Sequence, residues 1–532
     1  MKRLIVLLIC AAGFSVAGQE VDTAPYFPVD SMPYAGIYLP APPDTCSPLF
    51  TDDLMQWMWG KSMRATERGQ RASWESLYSY DRMCEIYSQA LGFTVSREAT
   101  PAIYRLITRG QVVSAQAVDK AKAKYMRKRP FARMNEHVGG EFDDEEDLRG
   151  NGSYPSGHTS FGWVTAMMLA QMAPELQDTI LRRGWEYGES RVIVGAHWQS
   201  DVDAARLAAS ACMARVQGSA EYQADLEAAR TEFLLRSKGA LPEAGYPDFR
   251  RVLPPPVDTT SLRFLGDVEA HWVAKNDRQG ARGAQAIADA AFKVPDFMRQ
   301  FSACLNMQLD TATAPHVAAY LSYVRKALNH ESKRLKGTGF RSRPFVRFAE
   351  PTTIPGEEAS HASNTSYPSS HSTLGWGMAM AMVVLTPDSM DALLQRGYEY
   401  GQSRVVAGYH WASDVEAARI VASCTLLRLV REPRFRALAD SARAEYYALR
   451  GHPVARQAAG RVTLRQAGNR VKLGISGRRE TGILRLYDGS GQVVRSMPVK
   501  GSASLSLAGL PRGKYVATFT GRTCFRSLEL DL

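Results

Sequence analysis

The chain repeats itself at an almost constant distance, which restricts it to folds that can be built twice in tandem. Leu39-Pro40-Ala41-Pro42-Pro43 returns as Leu253-Pro254-Pro255-Pro256-Val257, Arg68-Gly69 as Arg282-Gly283, Pro101 as Pro315 and Arg129-Pro130 as Arg343-Pro344, each 214 residues further on. The phrase Asn151 to His158, NGSYPSGH, returns as NTSYPSSH at Asn364 to His371, and from there the offset is 213, as in His197 to His410 and Asp201 to Asp414. One residue has been lost from the loop between, and nothing else need have moved. Such an offset means that whole domains were duplicated, over 36–238 and 248–450, joined by the Gly- and Pro-rich SKGALPEAGYPDF. A chain of 532 residues also exceeds what a single core supports, so two or three domains are expected.

Within each copy the apolar residues recur at helical spacing. SFGWVTAMMLAQM, LQDTILRRGWEYGESRVI and SDVDAARLAASACMARV all follow this rule, with Asp178 and Asp201 placed as helix starts. Trp163, Met167, Met168 and Trp376 belong to the core on this pattern. After Arg461 the texture changes to short runs of β-branched and apolar residues, RVTLRQ, RVKLGI, GILRLY, QVVRSM, ASLSLA, KYVATFT and CFRSLEL, separated by turn residues. The predicted fold is mainly α, with two tandem all-α domains followed by a small β-sandwich over 461–532.

The first residues combine Lys2 and Arg3 with an apolar run and a small-residue site at Ser15-Val16-Ala17, the pattern of a cleavable signal peptide over 1–17. Export to the periplasm, the medium or the cell surface is the expectation. No later run approaches the roughly 20 apolar residues of a membrane span. Six cysteines remain after Cys10, an even set in a chain bound for an oxidising compartment, which points to disulfides. Pairs within each copy, Cys84 with Cys212 and Cys304 with Cys424, are one choice among 15. The net charge of +11 does not indicate a nucleic-acid partner, because from Arg461 onward 13 Lys and Arg face 4 Asp and Glu, leaving only +2 for the rest. The charge suits contact with export machinery or an anionic cell surface.

The chemistry-bearing residues form a three-part pattern. Lys122 and Arg129 precede Ser156-Gly157-His158, and Arg191, His197 and Asp201 follow; Lys336, Arg343, Ser369-Ser370-His371, Arg404, His410 and Asp414 repeat it with the same short spacings. This pattern resembles the type 2 phosphatidic acid phosphatase superfamily. The wording KYMRKRPFA, NGSYPSGHT and GESRVIVGAHWQSDVDAARL looks like its bacterial class A non-specific acid phosphatases in particular.

The residues suit that chemistry. Two Arg and one Lys can surround a phosphate and stabilise charge on a transferring phosphoryl group. Ser156 and the N–H groups of Gly157 and His158 stand where a helix begins, a natural anion site. His197, its far nitrogen held by Asp201, fits a nucleophile that must be neutral, and His158 fits the general acid for the leaving alcohol. The resemblance assigns the same roles to these positions, and to His410, Asp414 and His371 in the second copy. It implies small phosphate monoesters as substrates, no metal and no cofactor; the need for one histidine to be protonated while the other is neutral predicts an acidic optimum. Ser370 in place of Gly157 is tolerated if the backbone there is ordinary helix, and distorts the second site if a positive φ is needed. The acidic stretch Glu141 to Leu148 is expected as a solvated loop. A vanadium-dependent haloperoxidase, which shares the motifs, and a non-catalytic second copy are the competing readings.

Overall fold

The structure, a computed structural model, describes residues 21–141, 145–237, 241–337, 339–450, 462–475, 481–488, 493–521 and 525–532. The expected signal peptide and Cys524 lie outside the described residues. The principal helices of the first repeat are α1 (Phe50–Met63), α2 (Pro101–Tyr125), α3 (Gly157–Met172), α4 (Gln177–Ile193), α5 (Gln199–Val216) and α6 (Ala220–Arg236). Their counterparts in the second are α7 (Phe264–Lys275), α8 (Pro315–Lys336), α9 (Ser370–Leu385), α10 (Met390–Val406), α11 (Ala412–Leu429) and α12 (Pro433–Leu449).

Local chemistry sets the helix starts. Pro101 and Pro315 open α2 and α8, where the missing N–H costs nothing. Ser156 and Ser369 cap α3 and α9, their Oγ atoms accepting the N–H of Thr159 and Ser372 at 3.2 and 3.3 Å. Asp178 does not cap α4; its carboxylate accepts the N–H of Asp248 at 2.8 Å, at the end of the linker. α3 is apolar nearly all round and therefore central, with α2, α4 and α5 packed about it. Trp163, Met167, Met168 and Trp376 are all buried. α3 and α4 approach closely because Gly162 has no side chain: a Cβ there would stand 2.2 Å from the Tyr187 ring, and Gly375 faces Tyr400 likewise at 2.6 Å.

The repeats share one apolar core. Gln171 Nε2 donates to the carbonyl of Leu427 at 2.8 Å across the junction, and the linker carbonyl of Gly245 accepts from Gln177 and Arg428 at 2.8 and 3.0 Å. The cysteine expectation is corrected here. Cys46, Cys84, Cys212, Cys304 and Cys424 are free thiols, so neither Cys84–Cys212 nor Cys304–Cys424 forms. Cys84, Cys212 and Cys424 are spent on apolar packing, with burial pushing the Cys84 thiol up to about 12, while Cys304 donates to the carbonyl of Ala392 at 3.5 Å.

The acidic stretch is not loop throughout. Glu145–Gly150 is helical, and Glu145 accepts the N–H of Val138 at 3.1 Å and pairs with Arg149 at 2.5 Å. The C-terminal segment forms two antiparallel sheets, β1-β2-β5 and β4-β3-β6-β7, where β1 is Val462–Gln466, β2 Arg470–Ile475, β3 Thr481–Tyr487, β4 Val493–Lys500, β5 Ala503–Ser506, β6 Lys514–Gly521 and β7 Phe525–Asp531. Alternation along β3 turns Leu484 and Leu486 into the sandwich core. Arg485, buried between them in sequence, turns outward to reach Glu227 of α6 at 3.4 Å and the carbonyl of Gln223 at 3.2 Å.

Candidate active site

The first site lies where α3 and α5 begin and α2 and α4 end. Lys122 stands in the last turn of α2, and its Nζ donates to the carbonyl of Gly152 at 2.7 Å. Arg129 donates to the carbonyls of Asn151 and Ala196 at 3.2 and 3.1 Å, and its Nη1 reaches His197 Nε2 at 2.9 Å. Because a guanidinium only donates, Nε2 accepts, and the imidazole proton is assigned to Nδ1. Nδ1 faces Asp201 Oδ2 at 3.6 Å, one helical turn further along the chain.

Asp201 is held on every side. Oδ2 accepts the N–H of Trp198 at 2.8 Å and the Ser153 hydroxyl, while Oδ1 accepts from Arg127 at 2.6 Å. Arg127 extends its other nitrogen to Asp53 of α1 at 2.7 Å, and Asp53 also binds the N–H and hydroxyl of Ser200. Arg191, in the last turn of α4, is fully buried, yet its Nε and Nη1 have no hydrogen-bond partner among the described residues. A buried guanidinium with orphaned donors calls for an oxyanion. Beneath it the buried carboxylate of Glu75 accepts from Ser190 and Arg183. His158 donates from Nε2 to the carbonyl of Ser76 at 2.9 Å, with the Tyr78 ring edge-on at 4.7 Å.

The charges are mutually dependent. Burial, reinforced by Arg129, lowers Lys122 to about 7, and burial lowers Arg129 to about 10. Burial and then Arg129 depress His197 to about 3, so it is neutral across the working range. Burial followed by Arg191 and His197 holds His158 well below the usual imidazole value. Burial alone would raise Asp201, but Arg127 and the hydrogen bonds from His197 and Ser153 outweigh it and keep it a carboxylate.

The second site reproduces this geometry except at Ser366, whose hydroxyl, unlike that of Ser153, has no partner among the described residues. Lys336 donates to the carbonyl of Thr365 at 2.9 Å, Arg343 reaches His410 Nε2 at 3.1 Å, and His410 Nδ1 faces Asp414 Oδ2 at 3.5 Å. Arg341 joins Asp414 and Asp267 at 2.5 and 2.6 Å, and Arg404 is buried with Nε and Nη1 unpartnered among the described residues. His371 donates to the carbonyl of Ala290 at 3.1 Å. Gly157 and Ser370 are each the first residue of their helix, and neither has a positive φ. A Cβ on Gly157 would meet only Lys122 Cε at 3.5 Å, an ordinary contact. Ser370 accepts from Ser332 at 2.8 Å, where the first repeat has Val118, so the two serines changed as a pair. The copies do differ at Ala196, which becomes Tyr409. Its ring is fully buried, packs on Phe345 and lies 4.9 Å from the Arg404 guanidinium, while its hydroxyl donates to the carbonyl of Ile354 at 2.8 Å.

The structure places the residues named for each candidate site together, and behind them stand groups that sequence reading missed: Ser153, Arg127, Asp53 and Glu75. The repeat carried the signal for the first three, since Ser366, Arg341 and Asp267 stand at the same offsets. Among the described residues no group of three or more His, Cys, Asp or Glu is arranged to hold a metal ion, and no helix is long and apolar enough to cross a membrane.

The PAP2 superfamily model matches the chain twice, over residues 102–219 and 317–436. The chain belongs to the PAP2 superfamily, as a tandem pair. It is 38% identical over 244 residues to a non-specific acid phosphatase of Providencia stuartii, a match covering 98% of that protein and 44% of this chain. A non-specific acid phosphatase of Salmonella typhi is 36% identical over 244 residues, covering 96% of it and 45% of this chain. An acid phosphatase of Zymomonas mobilis is 34% identical over 196 residues, covering 74% of it and 37% of this chain.

Proposed function

We propose that the chain is an exported acid phosphatase with two active sites, each hydrolysing phosphate monoesters through a phosphohistidine. The observation that carries this reading is the pairing, in both repeats, of a neutral imidazole with an unpartnered buried guanidinium. A phosphate dianion seated against Arg191 and Lys122 draws Arg129 toward its oxygens and frees the His197 Nε2 lone pair. His197 then attacks phosphorus, the P–O bond to the leaving group breaks, and Asp201 stabilises the resulting cationic phosphohistidine through Nδ1–H. The dianion also reverses the positive surroundings that hold His158 neutral, so His158 takes up a proton on binding and passes it to the departing alkoxide. Water completes the cycle, with His158 as base.

The 461–532 sandwich, with its excess of positive charge, serves as the contact with export machinery or an anionic surface. The mechanism is tested by quenching the enzyme with labelled p-nitrophenyl phosphate. Label that stays on the protein in alkali and leaves in acid supports phosphohistidine, and turnover without such label overturns it.

A further inference from the structure

The repeated proline segments have no part in the chemistry, yet they meet. Pro40 and Pro254, with neighbours on either side, line a cavity of about 470 Å³ between the two repeats, within the 300–1,000 Å³ typical of small-molecule sites. Tyr154 and Tyr367 hold these segments in place by donating to the carbonyls of Pro40 and Pro254 at 2.8 and 3.1 Å, and Trp185 and Tyr398 add aromatic wall.

Among amides and hydroxyls, its charged lining is four carboxylates and one guanidinium, Arg263, which lies over the Trp59 ring at 5.0 Å and forms no ion pair among those described. Three of the carboxylates are spoken for: Asp203 by Arg206 at 3.0 Å, Asp267 by Arg341 at 2.6 Å and Glu416 by Arg419. Asp52 has no cationic partner among the described residues and accepts only a long 3.4 Å hydrogen bond from Gln56. Gln56 also lines the cavity, is 4% exposed, and leaves its Oε1 without any partner among the described residues. A buried amide oxygen without a donor beside a carboxyl group without a counter-charge suits a ligand that both donates and carries positive charge. Burial first, then the neighbouring carboxylates Asp53, Asp203 and Asp267, push Asp52 up to about 8, so on its own it holds a proton at neutral pH; an ammonium displaces that proton and binds more tightly as pH rises toward 8.

We propose that this cavity binds a small organic amine, its ammonium on Asp52 and Gln56 and its apolar body against the proline and aromatic walls. The duplication itself creates the site, because each repeat supplies only half of the wall. The site is separate from the phosphate sites, whose arginines and lysines repel a cation.

The test is calorimetric titration of the full chain with 2-phenylethylamine, 2-phenylethanol and phenylacetate. The amine is expected to bind saturably, at least tenfold tighter than the alcohol, with no binding of the carboxylate, and inorganic phosphate is not expected to displace it. Asp52→Asn is expected to abolish the amine's advantage while p-nitrophenyl phosphate turnover shows the protein to be folded. Should that variant fail to fold, Ala270→Phe, which fills the cavity from α7, is expected to block binding. Equal binding of amine and alcohol, displacement by phosphate, an undiminished preference in Asp52→Asn, or no saturable binding of the amine overturns the proposal.

Discussion

Replacing Arg127 with Gln separates the support of the first site from its chemistry. Arg127 is the only cation reaching Asp201 and Asp53 among the described ion pairs, at 2.6 and 2.7 Å, and both carboxylates are at most 1% exposed. Its loss leaves two buried carboxylates facing each other without a counter-charge, which costs about 3–5 kcal/mol. The folded-state pKa of Asp201 is depressed, so its stabilising contribution is present above the unfolded value of about 3.9 and is lost as pH falls below it. Without Arg127 the stranded carboxylates have raised folded-state pKa values and take up protons as pH falls toward 4. The deficit of Arg127→Gln should therefore be large at pH 7 and shrink toward pH 4, whereas the wild-type contribution of Asp201 is lost only as pH falls from about 3.9 toward its depressed folded value. Adding Asp53→Asn removes one of the stranded charges and should restore part of the loss. Urea unfolding followed by tryptophan fluorescence measures the deficit, and phosphatase turnover in a His410→Ala background reports the first site alone. A deficit below about 1 kcal/mol at pH 7, of the size seen for exposed pairs, or no recovery with Asp53→Asn, refutes the reasoning.

Other outcomes follow from single contacts. Gly157→Ser should leave turnover at the first site within about threefold, since the position is ordinary helix with room for a Cβ. Ser153→Ala removes a hydroxyl bonded to Asp201 and should lower turnover about tenfold, on the order of one charge-assisted hydrogen bond. The matching Ser366→Ala should change little, because the Ser366 hydroxyl is unpartnered among the described residues. Lys122 is charged below about 7 and neutral above, so the KM of a His410→Ala enzyme should climb as pH rises through 7, measured on p-nitrophenyl phosphate. Lys122→Met should raise KM at pH 5.5 and flatten that climb.

Much of this was legible in the chain, and the reasons differ by element. The helices around α3 were readable because their apolar residues follow the helical period, and the seven strands because turn residues separate them. The site residues were readable because Lys122, Arg129, His158, Arg191, His197 and Asp201 fall in short motifs that recur. Asp53 and Arg127 recur at the repeat offset, and Arg127 stands inside KYMRKRPFA, but no local pattern says that they pair across 74 residues; only folding brings them together. Disulfides were misjudged because the even cysteine count says nothing of where side chains point; Cys84, Cys212 and Cys424 are core residues. The cavity between the repeats belongs to tertiary packing alone, although its prolines were the first sign of duplication.

The central claim is two working sites, each with its own histidine nucleophile. Hydrolysis of p-nitrophenyl phosphate in EDTA across pH, comparing the intact protein with His197→Ala, His410→Ala and the double variant, tests it most directly. Each single variant is expected to keep part of the rate, with an acidic optimum, and the double variant to lose it. Full loss in either single variant, or substantial turnover in the double, contradicts the account.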